Sequence, residues 1–205
     1  MRRLRCAGEL NIGAMTPDLA RQVLDFWFGA GQDYGKRHAR WFAKDPAFDA
    51  QLRHRFAALL QALAAGAHRD WPDQPAACLA RILVLDQFSR QIHRGTAQAF
   101  ATDPLALQTA RHLLGQHHDS ALLPVERLFA YLPFEHSESL ADQELACELM
   151  QPLAKHPQTE DALRYAIAHR DIIARFGRFP HRNAALGRAS TAEELQFLAQ
   201  PGSAF

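Results

Sequence analysis

The residues of this chain whose types could do chemistry fall into three groups. The first is Asp86, Arg90, His93 and Arg94, within the stretch 80–100, ARILVLDQFSRQIHRGTAQAF. On a helix Asp86, Arg90 and His93 stand at i, i+4 and i+7 and share one face. The stretch opens with Ile82, Leu83, Val84 and Leu85, so a face that begins buried ends charged. Such a face points into something enclosed and polar, where Arg90 can bind an anion while Asp86 orients Arg90 or His93. The plainer account is a single Asp86–Arg90 pair along the helix, worth roughly 0.3–0.5 kcal/mol.

The second group is Phe134 to Glu138, FEHSE, with two carboxylates around a histidine. Glu135 and Glu138 suit acid–base work or, with His136, metal ligation, although one local histidine makes a weak metal signal. The plainer account is a surface loop in which Ser137 or Ser139 caps the next helix. The third group is basic: Arg170, Arg175, Arg178, His181, Arg182 and Arg188, with Asp171 and Asn183. Arginine forks suit carboxylates and phosphates. The competing account is an ion-pair network joining this segment to Asp86, Glu135 and Glu138. These three groups are expected to converge, bringing together Asp86, Arg90, Glu135, His136, Arg178, His181 and Arg182. His112, His117 and His118 are a weaker hint of metal. Two of them are adjacent and diverge on a helix, so they are read as solvated.

The elements that must position these groups are all helical. Thr16 and Pro17 start a first helix with Leu19, Val23, Phe26 and Trp27 at helical spacing, stopped by Gly29. Asp45-Pro46 opens a second, whose stripe is Phe48, Leu52, Phe56, Leu59, Leu60 and Leu63, with Asp49, Arg53 and Arg55 facing water. A break over 71–75 precedes the helix carrying Asp86. Asp103-Pro104 starts another, and Pro124 starts a short one closed by Pro133. Ser139 caps a helix to about Lys155, and Thr159 caps a long one through Phe176, with His169 a satisfied core histidine in its apolar stripe. Ser190 and Glu193 form a capping box for the last. Alternating strand patterns are essentially absent. The expected fold is therefore all-α, with about eight helices in a tetratricopeptide-like hairpin stack or a compact irregular bundle.

The chain has 205 residues, of which 48% are hydrophobic, enough for one domain with its own core. Residues 15–205 are read as that domain and 1–14 as a disordered or mis-annotated extension. A formal net charge of +1 leaves no overall electrostatic footprint for nucleic acid. Cys6, Cys78 and Cys147 show no paired spacing, which suits a reducing, cytoplasmic setting. No apolar run approaches the roughly 20 residues of a membrane span. P-loop, GxGxxG, HExxH, paired CxxC and GxSxG motifs are missing, which argues against nucleotide, dinucleotide and paired-thiolate zinc chemistry.

Four segments carry a family resemblance: VLDFWFG at 23–29, LDQFSRQIHRGTAQAFATD at 85–103, YLPFEHSESLADQ at 131–143 and HRDIIARFGRFPHRNAALGRAST at 169–191. Through them the chain resembles the bacterial, tetratricopeptide-like family catalogued as "domain of unknown function 924", over about 16–205. Ser89 stands where that family commonly has proline, which leaves the Asp86–His93 helix without a proline kink. The resemblance implies an all-helical fold and no activity.

The function expected from these readings is a helical binding or scaffold protein with an arginine-rich site for a small anion or an acidic peptide. Its ligand-binding residues are Asp86, Arg90, His93, Glu135, His136, Glu138, Arg178, His181, Arg182 and Asn183, with no cofactor or metal. The alternative is an enzyme on an anionic small molecule, with Glu135 or Glu138 as base and Arg178 or Arg182 as charge clamp. A homo-oligomer is a third option. RNA binding fits least, because acids interleave the basic residues.

Overall fold

The computed structural model describes residues 17–67 and 73–203, and among them there are eight α-helices and no strand. Helix α1 is Pro17–Phe28 and α2 is Pro46–Ala64. Helix α3 covers 75–92: an α-helical stretch Pro75–Ile82, a wide π turn Leu83–Phe88, and a last α turn Ser89–Ile92. Then follow α4, Asp103–Gly115; α5, Pro124–Glu135; α6, Leu140–Met150; α7, Ala162–Phe176; and α8, Ala192–Leu198. The expected extension over 1–14, Cys6, the Thr16 cap and Trp71 lie outside the described residues. No described helix is long and apolar enough to cross a membrane.

Helix α3 is the axis of the bundle: α1, α2, α4 and α5 all pack on it, and α5, α6 and α7 follow in succession. Its sequence explains this, since Leu79, Ile82, Leu83, Val84, Leu85 and Phe88 are fully buried and only a helix enclosed on all sides buries so continuous a run. The stripes on α1 and α2 close over it with aromatic rings. Trp27 meets Phe129 edge-on at 5.4 Å between centroids, and Phe56 meets Phe88 at 4.9 Å. Trp41, in the α1–α2 connection, donates its indole N–H to the Trp27 carbonyl at 2.9 Å.

Asp45 caps α2, accepting from the N–H groups of Ala47 at 3.0 Å and Phe48 at 3.1 Å. Arg53 and Arg55 are exposed, as expected, and Asp49 is half-buried; Arg53 and Asp49 also hold the end of α3, Arg53 donating to the Ile92 carbonyl at 2.8 Å and Asp49 pairing with Arg94 at 3.1 Å. Several boundaries differ from expectation. Pro133 sits inside α5, which continues to Glu135, because a proline in the last turn forgoes only one hydrogen bond. Helix α6 ends at Met150 and Ser139 makes no side-chain cap. Thr159 is buried and donates to the Leu153 carbonyl, and α7 begins at Ala162. The last capping box is Thr191 with Glu194, one residue beyond the expected pair.

The wide turn in α3 was not expected, since Ser89 replaces the helix-bending proline. Shifting from i+4 to i+5 bonding frees backbone carbonyls in a buried place, and such groups need partners. Around this turn the Thr102 hydroxyl donates to the Leu85 carbonyl at 2.5 Å, and the Asp86 carbonyl accepts both from the Ser89 N–H and from Arg90 at 3.1 Å. The turn therefore places Asp86 inside the bundle with both its backbone and its carboxylate engaged.

Candidate functional site

Asp86 is 0% exposed, and an isolated carboxylate buried so completely costs several kcal/mol. Three side chains offset that cost. Arg90 lies 2.9 Å from its Oδ1, His136 Nδ1 lies 2.7 Å from the same oxygen, and the Gln87 amide donates to Oδ2 at 2.6 Å. Burial alone would raise the Asp86 carboxyl; the Arg90 charge and the His136 hydrogen bond outweigh it and hold it well below the usual carboxylate range. Arg90 turns its fork onto Asp103, the first residue of α4, at 2.8 and 2.9 Å.

Glu135 and His136 end α5, so two consecutive side chains enter the same centre. Glu135 has no cation beside it. Burial, with the nearby Asp86 charge adding, pushes its carboxyl up to about 8. At neutral pH it is a carboxylic acid, and its Oε1 lies 3.1 Å from His169 Nδ1, itself 2.9 Å from the Tyr165 carbonyl. Burial pushes the His169 ring down to about 3, with His136 adding, so Glu135 and His169 meet as neutral groups rather than as an ion pair. His136 is lowered too, by burial and the Arg90 charge against the pull of Asp86, and it holds Asp86 as a neutral N–H donor.

The turn Pro180–Arg182 closes the centre from the C-terminal side. Arg182, 6% exposed, lies between two rings, 4.3 Å from the Phe179 centroid and 4.9 Å from that of Phe100. One of its terminal nitrogens donates to the His136 carbonyl at 3.0 Å and reaches Asp103 at 3.4 Å. Its Nε is buried and has no hydrogen-bond partner. Burial, then Arg90, pulls its guanidinium down to about 10, so it remains charged at neutral pH. His181, beside it, is pushed down to about 4 by burial and the Arg182 charge.

Of the residues expected to converge, Asp86, Arg90, Glu135, His136, His181 and Arg182 meet here. Glu138 stands at the edge, accepting from the Phe179 N–H at 2.8 Å and from the Arg188 fork at 2.7 and 3.0 Å. Arg178 lies apart: its fork holds Glu194 of α8 at 2.6 and 2.8 Å. Asn183 is buried between the Arg188 guanidinium at 2.9 Å, the Ser190 hydroxyl at 3.1 Å and Glu194 at 3.3 Å, and props the turn from behind. His93 has left the helical face, because α3 ends at Ile92; its carbonyl accepts from Thr96 instead. Asp103 and the ring pair Phe100 and Phe179 were not foreseen. The only sequence signal at Asp103, aspartate before proline, reads equally well as a helix start.

An all-α bundle with a buried, charge-balanced polar centre at the seam of its C-terminal segment is the class these features define. The chain belongs to the family described as "Bacterial protein of unknown function (DUF924)", whose model matches residues 23–202. It is similar to a solved structure of a protein of unknown function, ATU0120, from Agrobacterium tumefaciens. The two are 44% identical, with 89% of this chain and 97% of the other covered and a TM-score of 0.79. A search of the curated proteins finds no match.

Proposed function

We propose that the chain is a helical binding protein whose polar centre takes a small oxyanion, a carboxylate or a phosphate, on the free edge of Arg182. The observation that carries this reading is the partnerless, buried Nε of that arginine. Leaving a buried donor unpaired costs about 1–3 kcal/mol, and the guanidinium fork is shaped for two parallel bonds to one oxyanion. Phe100 and Phe179 fix the plane of the fork before any ligand arrives, which lowers the ordering cost of binding. Arg90 and Asp103 are 18% and 19% exposed, so the centre is approached from their side. Its free thiols, Cys78 and Cys147, suit a bacterial cytoplasm.

A second reading, an enzyme on the same class of anion, draws on one further observation: Glu135 is raised while Asp86 is lowered. Two acids driven apart in this way suit a general acid at Glu135 and a base at His136, oriented by Asp86. Calorimetric titration with phosphate, sulfate, acetate and citrate tests the shared premise. The wild type binds at least one saturably, and Arg182→Met weakens that binding by about 10- to 100-fold, as loss of a charged hydrogen-bonding edge implies. Arg178→Leu leaves it unchanged, because that guanidinium is engaged with Glu194. Binding by none of the four, or equal binding by Arg182→Met, overturns the reading.

A further inference from the structure

On the opposite flank of the bundle, four side chains that ligate metals come together from three places in the chain. Asp73 lies just before α3 and Cys78 in its first turns; His112 is in the last turn of α4 and His118 in the short turn that follows. Asp73 Oδ1 is 2.8 Å from His112 Nε2 and 2.9 Å from His118 Nε2. The ligand atoms of Asp73, Cys78 and His112 all lie within 4.8 Å of one another.

We propose that Asp73, Cys78, His112 and His118 form a binding site for a divalent metal ion of the zinc type. One thiolate, two imidazoles and one carboxylate are a donor set suited to tetrahedral Zn2+. Bonds of about 2.0–2.3 Å from a central ion put neighbouring donors roughly 3.5 Å apart. His118 stands outside the 4.8 Å group, so gathering all four around one ion requires the histidine–aspartate contacts to open and Cys78 and His118 to move inward. Without metal, both imidazoles point a ring nitrogen at one carboxylate oxygen; an ion replaces the two protons between them and keeps the same approach. A thiolate and a carboxylate together balance its charge.

The backbone supports this placement. His117 takes the left-handed conformation, φ 56°, which costs a non-glycine residue energy and turns the chain so that His118 faces α3. The turn is held from behind: the Tyr131 hydroxyl donates to Asp119 at 2.8 Å and Arg127 to the Ser120 carbonyl at 3.0 Å. A surface ion pair of Asp73 with histidine would account for the first two contacts; the Cys78 sulfur, within 4.8 Å of the Asp73 and His112 ligand atoms, adds a soft donor. Ligation by the Cys78 thiolate displaces the thiol proton, so binding strengthens as pH rises. The three histidines 112, 117 and 118, read from sequence as solvated, thus separate into two ligands and one hinge.

Titration of chelator-treated full-length protein with Co2+, followed by Zn2+, tests the site. An equimolar Co2+ complex with a thiolate charge-transfer absorption is expected, bleached by Zn2+ and unchanged in Cys147→Ser. Cys78→Ser abolishes that absorption. His112→Ala weakens binding by more than the roughly 10- to 100-fold that loss of a supporting partner alone would bring. Because His112 is 47% exposed on its side chain, its substitution spares the fold, and its result stands even if Cys78→Ser is unstable. No thiolate absorption, or absorption undiminished in either variant, overturns the proposal.

Discussion

Glu135 and His169 are titratable residues that the fold keeps uncharged, and this gives the polar centre a pH signature. Glu135 has a raised value of about 8 when folded, against an ordinary value near 4.3 in the unfolded chain. Its contribution to stability is complete below the unfolded value and is lost as pH rises to about 8. His169 and His181, lowered to about 3 and about 4, act the other way: their contribution is present above about 6.5 and is lost as pH falls. Between about pH 4.3 and 6.5 the two tendencies oppose, and from about 6.5 to 8 Glu135 acts without them. Glu135→Gln therefore gains on the wild type by on the order of 1 kcal/mol per pH unit over that last interval. Urea unfolding at several pH values measures it, and parallel wild-type and variant curves would contradict the assignment. At this scale much was legible. Asp86, Arg90, His136 and Arg182 were singled out by residue type and helical spacing, and His169 was read as a satisfied core histidine. What sequence could not rank was the choice among distant acids. Arg178 and Arg182 are four residues apart and chemically identical, yet one takes Glu194 and the other faces Asp103.

Among the elements, α3 decides the site. Its apolar run explains why it is enclosed, and its wide turn explains how a charged residue is tolerated there. Helical periodicity assumes a constant pitch, so a five-residue turn leaves no mark in the pattern; only the partners of the released carbonyls reveal it. Thr102 donates to the Leu85 carbonyl in that turn, and Thr102→Val keeps the shape while removing this buried bond. The expected loss is about 1–3 kcal/mol in denaturant unfolding, whereas a change within a few tenths would show that the hydroxyl is not needed to hold the turn. Helix starts at Asp45, Asp103 and Pro124 were legible from local signals, a capping aspartate at the first and a proline in the first turn of all three. Helix ends were less so: Pro133 and Met150 depend on what packs beyond them.

For the molecule as a whole, the main apolar core is built by α1 to α7. Ile172, Ile173 and Phe179, with Phe176 and Phe197, form a second, small cluster under the C-terminal segment. The polar centre lies at the seam between them. The segment after α7 is fastened there by Arg182 on His136 and Asp103, and by Arg188 and the Phe179 N–H on Glu138. Arg182 Nε is a buried donor at this seam with no hydrogen-bond partner. An oxyanion bound there would engage that donor, and its occupation can be read atom by atom. In protein carrying 15N-labelled arginine, the Arg182 Nε–H resonance, identified by its loss in Arg182→Met, is followed during titration with inorganic phosphate and with acetate. The account predicts a saturable shift and slowed solvent exchange with at least one of them; a resonance unmoved by both would contradict it.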